Sequence, residues 1–206
     1  MGRVLRAGYR GSFVTLFERA EGWLFRPDGQ GIAQRLLEDF PVSYGDWPFC
    51  KLIMVTLGNL YADQERLGPP GTPVRTLVDL RDPEHLEVGA DYYRPFFLYR
   101  VGVLRVSEAL RERLRLRALI ARDSPMEREY RAWTVLATRE LAEHLGVLPH
   151  ALATVTWAMG FMRCRPCYVG VDPEAVPCDY RRVCRAYGRD PALMEALWPL
   201  VHTPWY

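Results

Sequence analysis

The chain has 206 residues, 49% of them hydrophobic and 25% charged, with a formal net charge of +2. That is enough apolar material for the core of one globular domain, or of a domain with an appendage. No apolar run reaches the roughly 18 residues of a membrane span, and the opening MGRVLRAGYRGSF lacks the unbroken apolar segment of a secretory signal. Membrane and secreted classes are set aside, and the chain reads as cytoplasmic.

Charge is distributed unevenly. Residues 1–93 carry ten basic and thirteen acidic side chains, whereas 94–139 carry eleven arginines and five acids. A basic middle can face phosphates, but on helices such charge is more often a solvated face.

Taken in chain order, helical periodicity fits 12–24, 30–39 and 48–62. RLGPPGTPVR (66–75) then reads as a turn-rich connector. Asp82-Pro83 is the first of four places where a capping residue precedes a proline suited to the first helical position; the others are Ser124-Pro125, Asp172-Pro173 and Asp190-Pro191. Helical patterns follow at 92–101 and 107–120. Ser124 with Glu127 predicts a capping box, and Tyr130, Trp133, Ala137, Leu141 and Leu145 make one apolar stripe that Gly146 ends. A last pattern covers 149–160. Nothing alternates with period two, so the predicted fold is all-α. Residues 1–160 read as one helical domain, and 161–206 as a cysteine-bearing extension packed on it.

That extension holds CRPCYVGVDPEAVPCDYRRVC, which spaces Cys164, Cys167, Cys178 and Cys184 as C-x2-C-x10-C-x5-C. In a cytoplasmic protein such a cluster points to metal before disulfides. Thiolates suit soft metals, and Arg163, Arg165, Arg181 and Arg182 nearby favour the anionic form. Zinc commonly pairs C-x2-C with a second short knuckle, while a [4Fe–4S] cluster tolerates uneven loops because its four corners are separate. The cluster is the first reading, zinc the second, free thiols or a disulfide the third. Cys50 stands apart in an apolar run and reads as a buried inert thiol.

DWPFCKLIMVTL (46–57) contains Lys51, the one lysine beside 26 arginines. A lysine can be desolvated enough to act as an amine nucleophile or general acid–base, which arginine cannot. It can equally serve as a compact charge for a phosphate, as an ion-pair partner for Asp91, or as a snorkelling surface residue. In a helix over 48–62 it shares a mostly apolar stripe with Val55 and with Trp47 or Pro48. Asp91 opens GADYYRPFFLYRVGVL (89–104), where a carboxylate is a good N-cap and stays ionised beside the helix dipole. Phe49, Tyr92, Tyr93 and Trp157 are candidates for stacking on a base, and Arg94 for forking onto phosphate or Glu129. His85, His144 and His150 have no metal-like spacing and read as surface or capping residues.

The 89–104 stretch resembles the helix-hairpin-helix DNA glycosylases. In these an aspartate opens a helix that ends in an R-L-G triplet, near which Arg100, Val101 and Gly102 fall here. Cys178-x5-Cys184 is also similar to the last interval of their iron–sulfur loop, while the L-P-G-V-G hairpin that binds DNA phosphate is absent. A longer resemblance, over about residues 11–160, is to the queuosine salvage proteins, queuosine 5′-phosphate N-glycosidases. It is carried in order by GSF (11–13), LLEDFP (36–41), FCK (49–51), GADYYRPFFLYRVGVLRVSEAL (89–110) and EREYRAW (127–133). Ala153 and Thr154 stand before Trp157 where that family tends to place an acid. The resemblance implies a DNA-glycosylase-like helical domain with Asp91 and Lys51 in active-site positions. It also implies an N-glycosidase acting on a modified nucleoside or nucleotide of 7-deazaguanine type. The alternatives are an iron–sulfur DNA glycosylase with DNA as its partner, and a non-enzymatic metal-containing module that binds nucleic acid or protein.

Overall fold

The computed structural model describes residues 1–168, 178–187, 189–190, 193 and 198–203. The chain is mostly helical, as its periodicity predicts. The Asp172-Pro173 cap lies outside the described residues, as does Pro191 of the Asp190-Pro191 pair. Among the described residues no single helix is long and apolar enough to cross a membrane. By its contacts the chain divides into two compact units, one of residues 1–89 with 148–151, the other of residues 90–147 with 152–203.

The first unit is built from α1 (Gly2–Gly8), α2 (Phe13–Ala20), α3 (Ile32–Asp39), α4 (Pro41–Tyr44), α5 (Lys51–Ala62), a 3-10 turn (Gln64–Leu67), α6 (Pro73–Thr76) and a second 3-10 turn (Pro83–His85). Its core gathers Leu16, Leu24, Ile32, Leu36, Ile53 and Leu57 from α2, α3, α5 and the link between α2 and α3. Several predicted boundaries shift, each for a local reason. The pattern over 12–24 stops at Ala20 because Glu21 turns left-handed at φ 53. The helix expected over 48–62 begins only at Lys51, because Cys50 is left-handed at φ 49; Trp47 and Pro48 therefore precede the helix and do not share its stripe. Asp82-Pro83 yields one 3-10 turn, and Asp82 does not cap it. Its buried carboxylate accepts instead from the Leu24 and Phe25 amides, at 2.7 and 3.0 Å, and so holds a loop 58 residues earlier in the chain. A cap motif read locally had been taken by a distant pair of donors.

His150, counted with this unit, is buried rather than superficial. It meets Tyr61 edge to face at 5.5 Å and lies beside Gly58 of α5. His85 edges onto Phe25, and His144 is exposed near the end of its helix. Burial lowers the His150 pKa from the ordinary 6.5. The folded state thus takes up its proton at lower pH than the unfolded chain does, so stability is full above about 6.5 and falls as pH drops towards the folded value. We expect melting temperature to fall on acidification below pH 6.5, and His150→Gln to flatten that slope in a pH series of thermal melts. An unchanged slope would remove His150 as its cause.

The second unit contains α7 (Tyr93–Val101), α8 (Glu108–Arg115), β1 (Leu119–Ile120), α9 (Pro125–Leu145), most of α10 (Pro149–Ala158), a π-turn (Met159–Cys164), α11 (Arg165–Tyr168) and β2 (Leu200–Val201). α7 is buried from Arg94 to Arg100 on every side, as a helix at the centre of a core must be. Gly102 ends it at φ 85, and a Cβ there would sit 2.2 Å from Cδ of Arg185. The pattern over 107–120 breaks at Arg115. Arg117 adopts φ 55, its guanidinium donates to the Trp198 carbonyl at 2.9 Å, and Leu119–Ile120 pairs in parallel with Leu200–Val201. This two-residue ladder leaves the chain consistent with the all-α expectation.

α9 obeys its predicted limits, from Ser124, whose hydroxyl accepts the Glu127 amide, to a left-handed Gly146. Its buried face does not. Trp133 and Leu145 of the predicted stripe are exposed, and the buried positions are Glu127, Tyr130, Arg131, Thr134, Thr138 and Ala142. Thr134 and Thr138 can be buried because each hydroxyl donates to the carbonyl four residues back, at 2.8 Å. Glu127 does not complete the capping box; its carboxylate turns inward.

Candidate active site

Asp91 lies two residues ahead of α7 and is 2% exposed. Its Oδ1 accepts the amides of Tyr93 and Arg94, at 2.7 and 2.8 Å, and Oδ2 pairs with the Arg94 guanidinium at 3.0 Å. The cap and the ion pair thus fall on one carboxylate. Arg94 is itself fixed from α10: Nε donates to Thr156 Oγ1 at 3.0 Å, and a second nitrogen donates to the Ala153 carbonyl at 2.9 Å. Residue 153 therefore contributes through its backbone.

The residues flanking Asp91 are held from α9. Arg131 donates to the Ala90 carbonyl at 3.0 Å and pairs with Glu127 at 3.3 Å. Tyr92 donates its hydroxyl to the same Glu127 oxygen at 2.7 Å. Both charged side chains of this pair are almost fully buried. Glu127, Tyr92 and Arg131 act together as a clamp on the segment that carries Asp91. Their i, i+4 spacing was visible in EREYRAW, but a Glu–Arg pair at that spacing ordinarily marks a solvated helix face. The carboxylate of Asp91 is also felt at Tyr130, whose pKa is raised first by burial and then by that negative charge.

Tyr93 and Trp157, two of the candidate stacking residues, meet through a third ring. Trp157 stacks on Phe161 at 5.2 Å, Tyr93 meets Phe161 edge to face at 5.2 Å, and Trp198 lies 5.3 Å from Tyr93. Arg165 covers Phe161 and Trp198. Trp157 remains 38% exposed, enough to offer a ring face to a planar ligand. The π-turn makes this cluster possible. At Gly160 it approaches α7 so closely that a Cβ would stand 2.2 Å from the Tyr93 carbonyl. We therefore expect Gly160→Ala to cost about 3 kcal/mol by overpacking against backbone that cannot yield, measured by denaturant unfolding. A loss below ~0.5 kcal/mol, the spread of an ordinary surface substitution, would show that the turn can relax.

Lys51 and Phe49 belong to the first unit, and both are half-buried. The Lys51 amide donates to Oδ2 of buried Asp46 at 3.2 Å. An ammonium at the first position of a helix works against the helix dipole, so helix stability does not account for a lysine there. Gly89, two residues before Asp91 in the chain, packs on this part of α5. A Cβ on it would lie 2.6 Å from Val55 and 3.9 Å from Cγ of Lys51.

The four clustered cysteines all line one cavity, shared with Arg100, Arg163 and Arg181. Burial pushes the Cys164 thiol up to about 12 and raises Cys184 as well; the Arg100 charge opposes this and loses. At these two free thiols desolvation outweighs the neighbouring positive charge that favours the anion. Arg165 is spent on the aromatic cluster and Arg182 is exposed. Cys50 is buried in the first unit, as read from its apolar run.

Two comparisons with known proteins bear on this arrangement. The model of the queuosine salvage protein family matches residues 73–155, a span that holds Asp91, Arg94, Glu127 and Arg131. The chain is also 41% identical over 104 residues to a queuosine 5′-phosphate N-glycosylase/hydrolase of Sphaerobacter thermophilus. That alignment covers 50% of this chain and 30% of the relative.

Proposed function

We propose that the chain is an N-glycosidase that hydrolyses the bond between base and ribose in a modified, queuosine-type nucleotide. The observation that carries this reading is the buried, doubly anchored carboxylate of Asp91, inside the span matched by the queuosine salvage model. A DNA-glycosylase-like fold is part of the same proposal, resting on the Asp91-to-Gly102 stretch. The five cysteines form no disulfide, which suits a reducing compartment, and we place the protein in the cytoplasm.

Cleavage of an N-glycosidic bond leaves its electron pair with the base and a cation-like ribose at the anomeric carbon. Among the described residues, Asp91 has three of its roughly four acceptor positions taken, so one on Oδ2 is left for water or for the developing charge. Its two amide donors and Arg94 hold it still, so little reorganisation is needed as charge builds. Water adds to the sugar carbon, its proton passes to the carboxylate, and the departing base nitrogen is protonated in turn. Trp157 and Tyr93 are assigned to the base. Lys51 we assign to the nucleotide's phosphate, with an amine nucleophile as the alternative. Phe49, Tyr92 and Arg94 complete the proposed set, the last two as positioning residues.

The test is incubation with queuosine 5′-monophosphate, with queuosine, and with duplex DNA carrying a damaged base, following free base by chromatography. Release from the monophosphate is expected; release from DNA alone would transfer the reading to the DNA glycosylases, and release from none would end it. Lys51→Arg separates the two roles of the lysine. It should keep most of the turnover if a charge is what matters, whereas an amine nucleophile predicts its loss together with trapping of the wild-type protein by borohydride.

A further inference from the structure

Cys164, Cys167, Cys178 and Cys184 come from two separate segments of the second unit, the π-turn continued by α11 and the 178–184 segment, yet they face one cavity. From this convergence we infer that the cavity is the seat of a [4Fe–4S] cluster ligated by all four thiolates. The surroundings fit the ligand in three ways.

The first is spread. Four sulfurs around one zinc stand roughly 3.8 Å apart, given a Zn–S bond of ~2.3 Å. Among the described residues no group of three or more His, Cys, Asp or Glu side chains is arranged to hold a single metal ion. An assembled cluster offers four separate corners, and four thiols brought from separate segments onto one cavity can meet them. Charge is the second. Four thiolates around such a cluster leave it anionic, and the cavity wall supplies Arg100, Arg163 and Arg181 with no carboxylate among its described lining residues. The third is rigidity. Arg100 is 1% exposed, its guanidinium lies 4.5 Å over Phe96, and it donates to the Cys164 carbonyl at 2.9 Å. Its own carbonyl accepts the Ala186 amide at 3.1 Å. One residue of α7 thus ties together the two cysteine-bearing segments, and the ligand set is held before the ligand arrives. Ligation of an assembled cluster forms four Fe–S bonds and releases one proton from each thiol, with no net transfer of electrons.

The role is structural and does not depend on the glycosidase reading. The test is elemental analysis of the full chain purified without oxygen from iron-supplemented cells, with acid-labile sulfide, absorbance in the blue, and electron paramagnetic resonance after dithionite. Roughly four iron and four sulfide per chain are expected. Stoichiometric zinc without sulfide, or no metal at all, would overturn the proposal. Cys178→Ser and half-buried Cys167→Ser should each lose most of the iron, whereas Cys50→Ser in the first unit should keep it. Should a variant fail to fold, the wild-type metal and sulfide contents still decide. Wild-type iron in folded Cys178→Ser would refute ligation by all four.

Discussion

Asp91→Asn is expected to lower base release from the monophosphate by at least ~100-fold, the usual effect of removing a preorganised charged group from a reaction centre. Asparagine can still accept the Tyr93 and Arg94 amides through its carbonyl oxygen, so α7 should keep its start. What disappears is the negative charge facing Arg94, and breaking one side of a buried pair costs about 3–5 kcal/mol. The lower end applies here, because Arg94 also donates to the Ala153 carbonyl and Thr156. Turnover should therefore be measured well below the variant's melting temperature, with folded fraction taken from circular dichroism. A folded Asp91→Asn protein with wild-type kcat would take Asp91 out of the mechanism. A protein that loses stability and keeps kcat would reduce the residue to a helix cap with an ion pair.

The clamp behind Asp91 gives the second large effect, this time on stability. Glu127→Ala withdraws the carboxylate that both Arg131 and Tyr92 address. Arg131 then loses this buried counter-charge, for a loss of about 3–5 kcal/mol, or a fall in melting temperature of roughly 10 °C for a protein of this size. Glu127→Gln should lose less, since the amide oxygen can still accept from Tyr92. In a double-mutant cycle Arg131→Met should recover part of the loss, because removing both charges avoids stranding one. Strict additivity would show that the pair is not coupled and that the clamp is only packing. If the clamp positions Asp91, Glu127→Gln should also lower kcat more than it changes KM.

Several of these features were open to a reader of the residues alone. Helix content and the limits of α9 follow from nearest neighbours: period, caps, prolines and a glycine at the right place. So does the grouping of four cysteines within 21 residues. Local chemistry suffices where the groups concerned are a few residues apart, because backbone geometry then sets their meeting.

Tertiary structure decided the rest, wherever a polar group chose between a near partner and a far one. Asp82 looked like a cap for its own turn and instead serves amides of Leu24 and Phe25. Glu127 looked like the return half of a capping box and went to Tyr92 and Arg131. The apolar stripe of α9 lost the core to a face with Glu127, Arg131 and two threonines on it. In each case the distant partner wins because both groups are buried, and a buried charge or donor left unmatched costs more than an exposed apolar residue does. Periodicity registers which side chains are apolar; it has no access to which polar ones will find each other in the dark of the core, and that matching is what sets Asp91 in place.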